Sequence, residues 1–201
     1  MASSPARHRL SGRRILMVIA PENFRDEEMD EPREILEREG ADVTIACPRA
    51  GEARGMLGTR ILPQTTLAEV SSRDYDAIVV VGGSGAPRHL WRDEGLLSIV
   101  REAHGDGKLV GAICLSGAVL ARAGVLADTE ATVYRSPEAL EELKRGGARY
   151  VARAVVSSGN VVTASGPEAA AAFGKALADR LASPEPGGDR PPRPAPKSRK
   201  K

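Results

Sequence analysis

The feature that most constrains the fold is a regular alternation of apolar, β-rich runs with segments of helical periodicity. Such alternation is typical of an α/β sandwich whose central sheet is mainly parallel and covered by helices on both faces. The sequence therefore predicts a single three-layer α/β domain. Strands are predicted at 14–20, 42–47, 76–81, 109–113, 131–134, 155–156 and 161–163, helices at 26–39, 93–104, 115–123, from 137 and from 167 to 181, and a hairpin or loop at 49–66.

Several chemically distinctive segments follow predicted strands. They are 20–22, the Gly82-Gly83-Ser84 turn, Cys114 and 165–167. In parallel sheets the working site lies beyond the carboxyl ends of the strands. We therefore expect these segments to converge at one edge of the sheet.

Cys114 follows the apolar run 109–113 and precedes an apolar, small-residue helix pattern. This places a cysteine on a tight strand-to-helix turn, the arrangement of a nucleophile elbow. The partial positive charge of a helix N-terminus and a nearby hydrogen-bond donor would each lower the pKa of its thiol. A free cysteine can equally be an inert core residue, and the local pattern leaves both readings open. For Cys47, which precedes Pro48, a small buried side chain is the favoured reading over an oxidation site or an interface contact.

The 201 residues suit one domain with tails: a flexible N-terminal segment 1–12, a domain 13–182 and a disordered, proline-rich tail 183–201. The tail holds six basic and two acidic residues, so the rest of the chain is close to −2. No apolar run reaches the roughly 18 residues of a membrane span. Two cysteines make no disulfide framework, and a reducing cytoplasm is the expected compartment. The body carries no basic, aromatic-rich stripe, which leaves only a weak nucleic-acid contact through the tail.

Four segments in order resemble the PfpI intracellular protease and parkinsonism-associated deglycase superfamily, between about Arg14 and Leu181. They are IAPENFRDEEMDEP, DAIVVVGGSGAP, GAICLSGAVLARAGVL and VTASGPEAAAAFGKAL. The resemblance implies a flavodoxin-like fold of the class I glutamine amidotransferase type. It also implies homodimers or larger homo-oligomers.

The resemblance further implies roles for individual residues. Cys114 is the expected nucleophile, and Glu28 is expected to be a protonated carboxyl that hydrogen-bonds its sulfur and favours the thiolate. The backbone amides of Gly83 and Leu115 are the expected oxyanion-hole donors. Without the resemblance, Glu28 would be read as one acid on a solvated helix face, and Gly83 as a turn glycine.

The chain departs from the superfamily pattern where a histidine would stand beside the cysteine. Leu115 directly follows Cys114, where the protease branch has histidine, and Tyr134 stands where the deglycase branch supplies one. His89 is the histidine that we expect nearest to the sulfur. A Cys-His relay is therefore not visible, although Tyr134 is a candidate proton donor if it is not simply a rim hydroxyl.

These features favour addition of a cysteine thiolate to small carbonyl electrophiles or glycated adducts, in the manner of a glyoxalase or deglycase. Peptide hydrolysis is the alternative enzymatic reading, but an amine leaving group needs a general acid. A third reading is a redox sensor in which Cys114 is oxidised. The sequence predicts no cofactor and no metal site, since it has neither a CxxC nor a histidine-carboxylate cluster, and its glycine turn lacks dinucleotide spacing.

Overall fold

The computed structural model describes residues 8–183 as alternating strands and helices. The strands are β1 Arg14–Val18, β2 Glu22–Phe24, β3 Asp42–Cys47, β4 Ala53–Gly55, β5 Arg60–Ile61, β6 Thr65–Thr66, β7 Ala77–Val80, β8 Leu109–Ile113, β9 Glu130–Ala131, β10 Arg149–Tyr150, β11 Val155–Ser158 and β12 Val161–Ala164. The α-helices are α1 Asp26–Arg38, α2 Ala86–His89, α3 Glu94–Gly105, α4 Gly117–Arg122, α5 Pro137–Arg145 and α6 Ala170–Ala182.

The central sheet has seven strands in the order β11-β12-β8-β7-β1-β3-β6. Every pair in it is parallel except β11 with β12, which form an antiparallel hairpin at one edge. The central strands β1, β7 and β8 are almost wholly apolar and buried, as expected of parallel strands covered on both faces. The predicted three-layer fold with a mainly parallel sheet is confirmed.

Helices cover both faces of the sheet. Helices α1 and α6 pack against each other, with α6 lying on β8 and β12, while α3 and α4 contact β8 on the other side and α5 packs on α4. Two small sheets lie outside this frame, β9 with β10 and β2 with β4 and β5. The β2-β4-β5 sheet matters for function because β2 follows β1 directly and leads into α1.

Most predicted elements occur, with boundaries that differ by a few residues. The first strand ends at Val18, and the expected helix 115–123 begins as a 3-10 turn at Cys114–Ser116. The predicted strand 131–134 is wrong beyond its first residue, since only Glu130–Ala131 is paired there. The next residues leave the ladder, and the Tyr134 N–H instead donates to the Cys114 carbonyl, 3.3 Å away.

The N-terminal segment was expected to be flexible, but its described part is packed. Leu10 is fully buried, and Arg9 forms ion pairs with Glu39 and Asp179. This corrects the expectation at Leu10, whereas residues 8, 9, 11 and 12 are exposed and their flexibility stays a prediction. Nearly all of the predicted C-terminal tail, 184–201, lies outside the described residues. Between residues 8 and 183, no helix is long and apolar enough to cross a membrane.

Candidate active site

Cys114 lies at the carboxyl end of the central strand β8, on the turn that leads into α4. Its φ is +60°, a left-handed conformation that costs an ordinary residue roughly 1–2 kcal/mol. Non-glycine residues keep such a conformation where the surrounding structure holds them in it. One restraint is the buried Ser116 hydroxyl, which donates to the Val81 carbonyl at 2.7 Å and ties the turn to the neighbouring strand end.

Two further hydrogen bonds hold the turn from outside. The Tyr134 N–H donates to the Cys114 carbonyl at 3.3 Å, and the Trp91 indole N–H donates to the Leu115 carbonyl at 2.8 Å. Each bond fixes a different peptide group, one on each side of Leu115. The Tyr134 bond holds the peptide group that carries the Leu115 N–H, and the Trp91 bond holds the peptide group that follows it.

The backbone amides of Gly83 and Leu115 lie close enough to the Cys114 sulfur to lower the pKa of its thiol. The Gly83 amide is oriented through its own peptide group, because the Gly82 carbonyl at the other end accepts the Arg25 N–H at 3.1 Å. Two amides that converge on one atom from fixed peptide planes are the arrangement of an oxyanion hole. The structure thus brings together the two donors that the sequence analysis singled out.

Glycine is required at both positions of the Gly82-Gly83 turn. A Cβ on Gly82 would lie 2.5 Å from Glu28 Oε2 and 2.6 Å from the Cys114 Cβ. Gly83 has φ +104°, and a Cβ there would lie 2.5 Å from the Arg25 nitrogen. The missing side chains let the α1 carboxylate, the turn and the cysteine approach one another closely.

Glu28 lies in the first turn of α1 and is completely buried. Its Oε2 accepts the Gly82 N–H at 3.0 Å. Its Oε1 has no partner with good hydrogen-bond geometry, although the Cys114 thiol lies close enough to interact with the carboxyl. The neighbouring Arg25 is paired with Glu27 at 2.8 Å, so its charge is largely compensated outside the site.

Burial raises the pKa of the Glu28 carboxyl to about 7, against the lowering effects of the adjacent Cys114 thiol and of the Gly82 hydrogen bond. Burial likewise raises the pKa of the Cys114 thiol to about 12, and the Glu28 charge adds to the rise. The Gly83 and Leu115 amides lower the pKa of the thiol, but their effect is smaller than the rise caused by burial and by Glu28. The expected depression of the cysteine pKa is thus not what this environment produces, because the site is enclosed and holds an acid.

Glu28 and Cys114 are best treated as one titrating pair. The pair loses its first proton near pH 7 and its second near pH 12. Between these values it holds a single proton, which lies either on the sulfur or on the carboxyl. The two amides favour the form with the negative charge on sulfur but do not outweigh the enclosure, so above pH 7 the proton rests on the sulfur and Glu28 is a carboxylate. A reactive thiolate at this site therefore requires transfer of the thiol proton to the Glu28 carboxylate.

Tyr134 and His89, the other two predicted site residues, lie at the rim. Tyr134 is half-exposed, its ring lies beside Gly166, and its backbone contacts Cys114. His89 ends α2, which packs against the Cys114 turn, and its side chain is half-buried. The groups that act on the sulfur are Glu28 and the two amides, whereas no contact of His89 with it is observed within residues 8–183.

Two residues that support the site were not found from the sequence. Trp91 is the only tryptophan of the chain, yet nothing in its local pattern links it to Cys114, 23 positions later. Asp26 accepts the N–H groups of Leu57 and Thr59 at 2.8 and 2.9 Å, which ties the β4-β5 hairpin to the start of α1. Its place at the helix start was the available signal, since acids there bind free amides.

Cys47, the second cysteine, lies at the end of β3 and is buried. Burial raises the pKa of its thiol. Its environment is that of a small apolar side chain. Within residues 8–183, no group of three or more His, Cys, Asp or Glu side chains is close enough to hold a metal ion.

A parallel α/β sandwich with a cysteine on a strained strand-to-helix turn and a buried glutamate beside it defines a class of proteins with the class I glutamine amidotransferase-like fold. The chain belongs to the DJ-1/PfpI family, whose model matches residues 13–180. The predicted superfamily is thereby confirmed.

Relatives from several lineages match most of the chain. An uncharacterized protein of Methanocaldococcus jannaschii is 47% identical over 86% of this chain and 84% of its own. A deglycase of Pyrococcus horikoshii is 32% identical, covering 77% and 90%, and a glutathione-independent glyoxalase of Caenorhabditis elegans is 28% identical, covering 85% and 89%. The crystal structure of a ThiJ/PfpI domain protein from Brachyspira murdochii superposes with a TM-score of 0.80 at 31% identity, over 85% of this chain and 98% of that one.

Proposed function

We propose that the protein is a cysteine-dependent enzyme acting on small carbonyl electrophiles or glycated adducts, as a glyoxalase or deglycase does. The observation that carries the proposal is the convergence of Glu28 and the Gly83 and Leu115 amides on the Cys114 sulfur. The names of the C. elegans glyoxalase and the P. horikoshii deglycase support the same substrate class.

The first chemical step is addition of the Cys114 thiolate to the aldehyde carbon of a substrate such as methylglyoxal. The new C–S bond forms as the carbonyl π electrons move to oxygen, where the amides of Gly83 and Leu115 stabilise the negative charge. The proton held by Glu28 passes to that oxygen and gives a neutral hemithioacetal. Glu28 is then a carboxylate, ready to act as a base for proton transfer between the two substrate carbons.

The overall reaction adds one water molecule to the ketoaldehyde and yields a 2-hydroxy acid. The internal proton transfer converts the hemithioacetal to a thioester of Cys114, and water hydrolyses that thioester. The thiol is regenerated, and the sequence of steps needs no external oxidant or reductant.

Carbonyl addition suits this site better than peptide hydrolysis. A peptidase must protonate a departing amine, and among residues 8–183 the one acidic side chain that acts on the sulfur is Glu28, which already takes the thiol proton. His89 is not among the groups that act on Cys114. An aldehyde has no amine to expel in the addition step.

The test is consumption of methylglyoxal with chiral analysis of the lactate formed. Cys114→Ser should lower turnover at least a hundredfold, because an alcohol is not ionised by Glu28 at neutral pH. Cys47→Ala is the matched control and should retain most of the activity. Turnover that survives in Cys114→Ser, or its absence from the wild-type protein under all conditions, would contradict the proposal.

A second candidate function is sensing of oxidants through Cys114. The same amide N–H groups that lie on the sulfur could donate to the oxygens of a sulfinate. Treatment with stoichiometric peroxide followed by intact-mass analysis distinguishes the two. Selective uptake of two oxygens at Cys114 by a protein without carbonyl turnover would favour sensing.

We also propose that the protein works in the cytoplasm and assembles as a homodimer or larger homo-oligomer. These proposals rest on its cysteine usage and on its family membership. Light scattering coupled to size-exclusion chromatography tests the assembly, and a mass of one chain at micromolar concentration would contradict it.

A further inference from the structure

Trp91 lies beside the Cys114 turn and contacts it through one directed bond. The indole N–H donates to the Leu115 carbonyl at 2.8 Å, and the ring is only 7% exposed. Trp91 directly follows the α2 segment, which packs against the 3-10 turn that begins at Cys114. The bond therefore joins two elements that meet at the site.

We propose that Trp91 is a positioning residue that keeps the Leu115 amide directed at the Cys114 sulfur. Cys114 has φ +60°, so the turn relaxes unless its flanking peptide groups are held. Tyr134 holds the Cys114 carbonyl and Trp91 holds the Leu115 carbonyl. Releasing the second carbonyl frees the Leu115–Ser116 peptide group, so the turn is held on one side only and the Leu115 N–H is less firmly directed at the sulfur.

Trp91 packs into the hydrophobic core on one side and borders a cavity on the other. The cavity has a volume of about 530 Å³ and lies between α2, α4 and α5. The cavity is lined largely by charged side chains, among them Arg88, Arg92 and Arg122. The indole N–H bond is the directed contact between this ring and the Cys114 turn, so that bond is the restraint to test.

The direct test is Trp91→Phe, which keeps a ring and removes the donor. The rate of Cys114 alkylation by iodoacetamide is measured between pH 5 and pH 10. We expect the rate at pH 8 to fall about tenfold and the midpoint to rise by about one pH unit, because the Leu115 amide then stabilises the thiolate less. Tyr75→Phe is the matched control, since it removes a buried aromatic hydroxyl at the opposite edge of the sheet and should leave the profile unchanged.

A Trp91→Phe profile that superimposes on that of the wild type would overturn the proposal. A change as large in Tyr75→Phe would overturn it as well, because the effect would then be one of general stability. The proposal rests on Cys114 being the reacting group of the proposed function. Alkylation needs no substrate, however, so lack of methylglyoxal turnover would refute the enzymatic proposal and leave this one standing.

A second measurement uses the wild-type chain and does not depend on the variant folding. Because Trp91 is the only tryptophan, intrinsic fluorescence reports on this position alone. Alkylation of Cys114 displaces the turn that the indole holds, so its emission should shift, and the shift should be absent in Cys114→Ser. Unchanged emission after complete modification of Cys114 would contradict the proposed link.

Discussion

Glu28 carries an unusual energetic role for a single side chain. Glu28 is completely buried, and a proton on its carboxyl lowers the free-energy cost of that burial. When that proton comes from the thiol, Cys114 carries the negative charge. Burying a carboxylate without full hydrogen bonding is costly, whereas burying the protonated acid costs much less. The buried position of Glu28 therefore lowers the stability of the fold at neutral pH, but it gives the site a carboxyl that gains and loses its proton near pH 7.

The pH dependence of stability follows from this buried carboxyl. The pKa of Glu28 is raised from 4.5 to about 7, so its protonated form is favoured in the folded state. The stability that this preference gives the fold is complete below pH 4.5 and is lost as the pH rises through 7. The loss amounts to roughly 3 kcal/mol. The free energy of unfolding, measured by urea denaturation, should be lower at pH 8 than at pH 5 in the wild-type protein. In Glu28→Gln this difference should be smaller by about the same amount. An equal pH dependence in the two proteins would contradict the assignment.

The site residues differ in how far the sequence could reveal them. Cys114 is visible from its place between an apolar strand and a small-residue helix, while Glu28 needed the resemblance, since it stands among other acids of α1. The raised pKa of the thiol was not predictable. It depends on how completely α1 and the glycine turn enclose the sulfur, which is a property of packing across 86 residues of sequence.

Among the secondary-structure elements, the β4-β5 hairpin is hydrogen-bonded to the start of α1. The Asp26 carboxylate accepts the Leu57 and Thr59 amides, and the Met56 sulfur accepts the Ser84 N–H at 3.5 Å. Ser84 immediately follows the glycine turn of the site. The hairpin is therefore connected both to the helix that carries Glu28 and to the turn that carries Gly83.

Asp26→Asn should loosen this hairpin. An amide side chain accepts from one of the two backbone donors but presents its own N–H₂ to the other, so one charge-assisted bond is lost, at a cost of about 2 kcal/mol. Hydrogen exchange at Leu57 and Thr59 should quicken, while Glu31→Gln, an exposed change on the same helix, should have no effect. Unaltered exchange in Asp26→Asn would refute this coupling.

The pKa of Asp26 gives an independent check on the hairpin. Burial opposes ionisation of this carboxyl, but the hydrogen bonds from Thr59 and Leu57 outweigh it and hold the pKa below its usual value. Its stabilising effect is thus present at neutral pH and is lost as the pH falls below about 3.8. The pH dependence of stability that Asp26 causes is therefore opposite to the one that Glu28 causes two residues further along α1.

The elements themselves were predictable to differing degrees. Strand β3 matches its predicted bounds because a β-branched run ends at Pro48, which cannot continue a strand. The segment 131–134 has an equally β-like sequence and yet leaves its ladder after Ala131. Its path is set by the bond between Tyr134 and Cys114, a contact between distant parts of the chain that no local pattern encodes.

At the scale of the whole molecule, the described N-terminal residues complete the domain. Leu10 is fully buried, and its N–H donates to the Glu39 carbonyl at 2.8 Å. Arg9 connects Glu39 beyond α1 with Asp179 on α6. These contacts lie at one end of the two packed helices and add a small apolar contact that the alternation of strands and helices did not predict.

Leu10→Ala should therefore destabilise the fold by about 2–5 kcal/mol, the usual cost of such a cavity in a core. Leu62→Ala is the matched control, because Leu62 is 73% exposed and its loss should change stability by less than about 0.5 kcal/mol. Thermal unfolding followed by circular dichroism compares the two. Equal melting temperatures would mean that the N-terminal segment is not packed as described.

Above pH 7, Glu28 and Cys114 share one proton, and the sulfur carries the negative charge when that proton lies on Glu28. The rate of Cys114 alkylation by iodoacetamide against pH, in the wild type and in Glu28→Gln, tests this most directly. In the wild-type protein we expect the midpoint of the alkylation rate against pH to lie near 7, where Glu28 becomes able to accept the thiol proton. In Glu28→Gln, which cannot accept the proton, the rate at pH 8 should be at least about tenfold lower and the midpoint should move above the ordinary thiol pKa of about 8.5. A single midpoint near 8.5 in both proteins would contradict it.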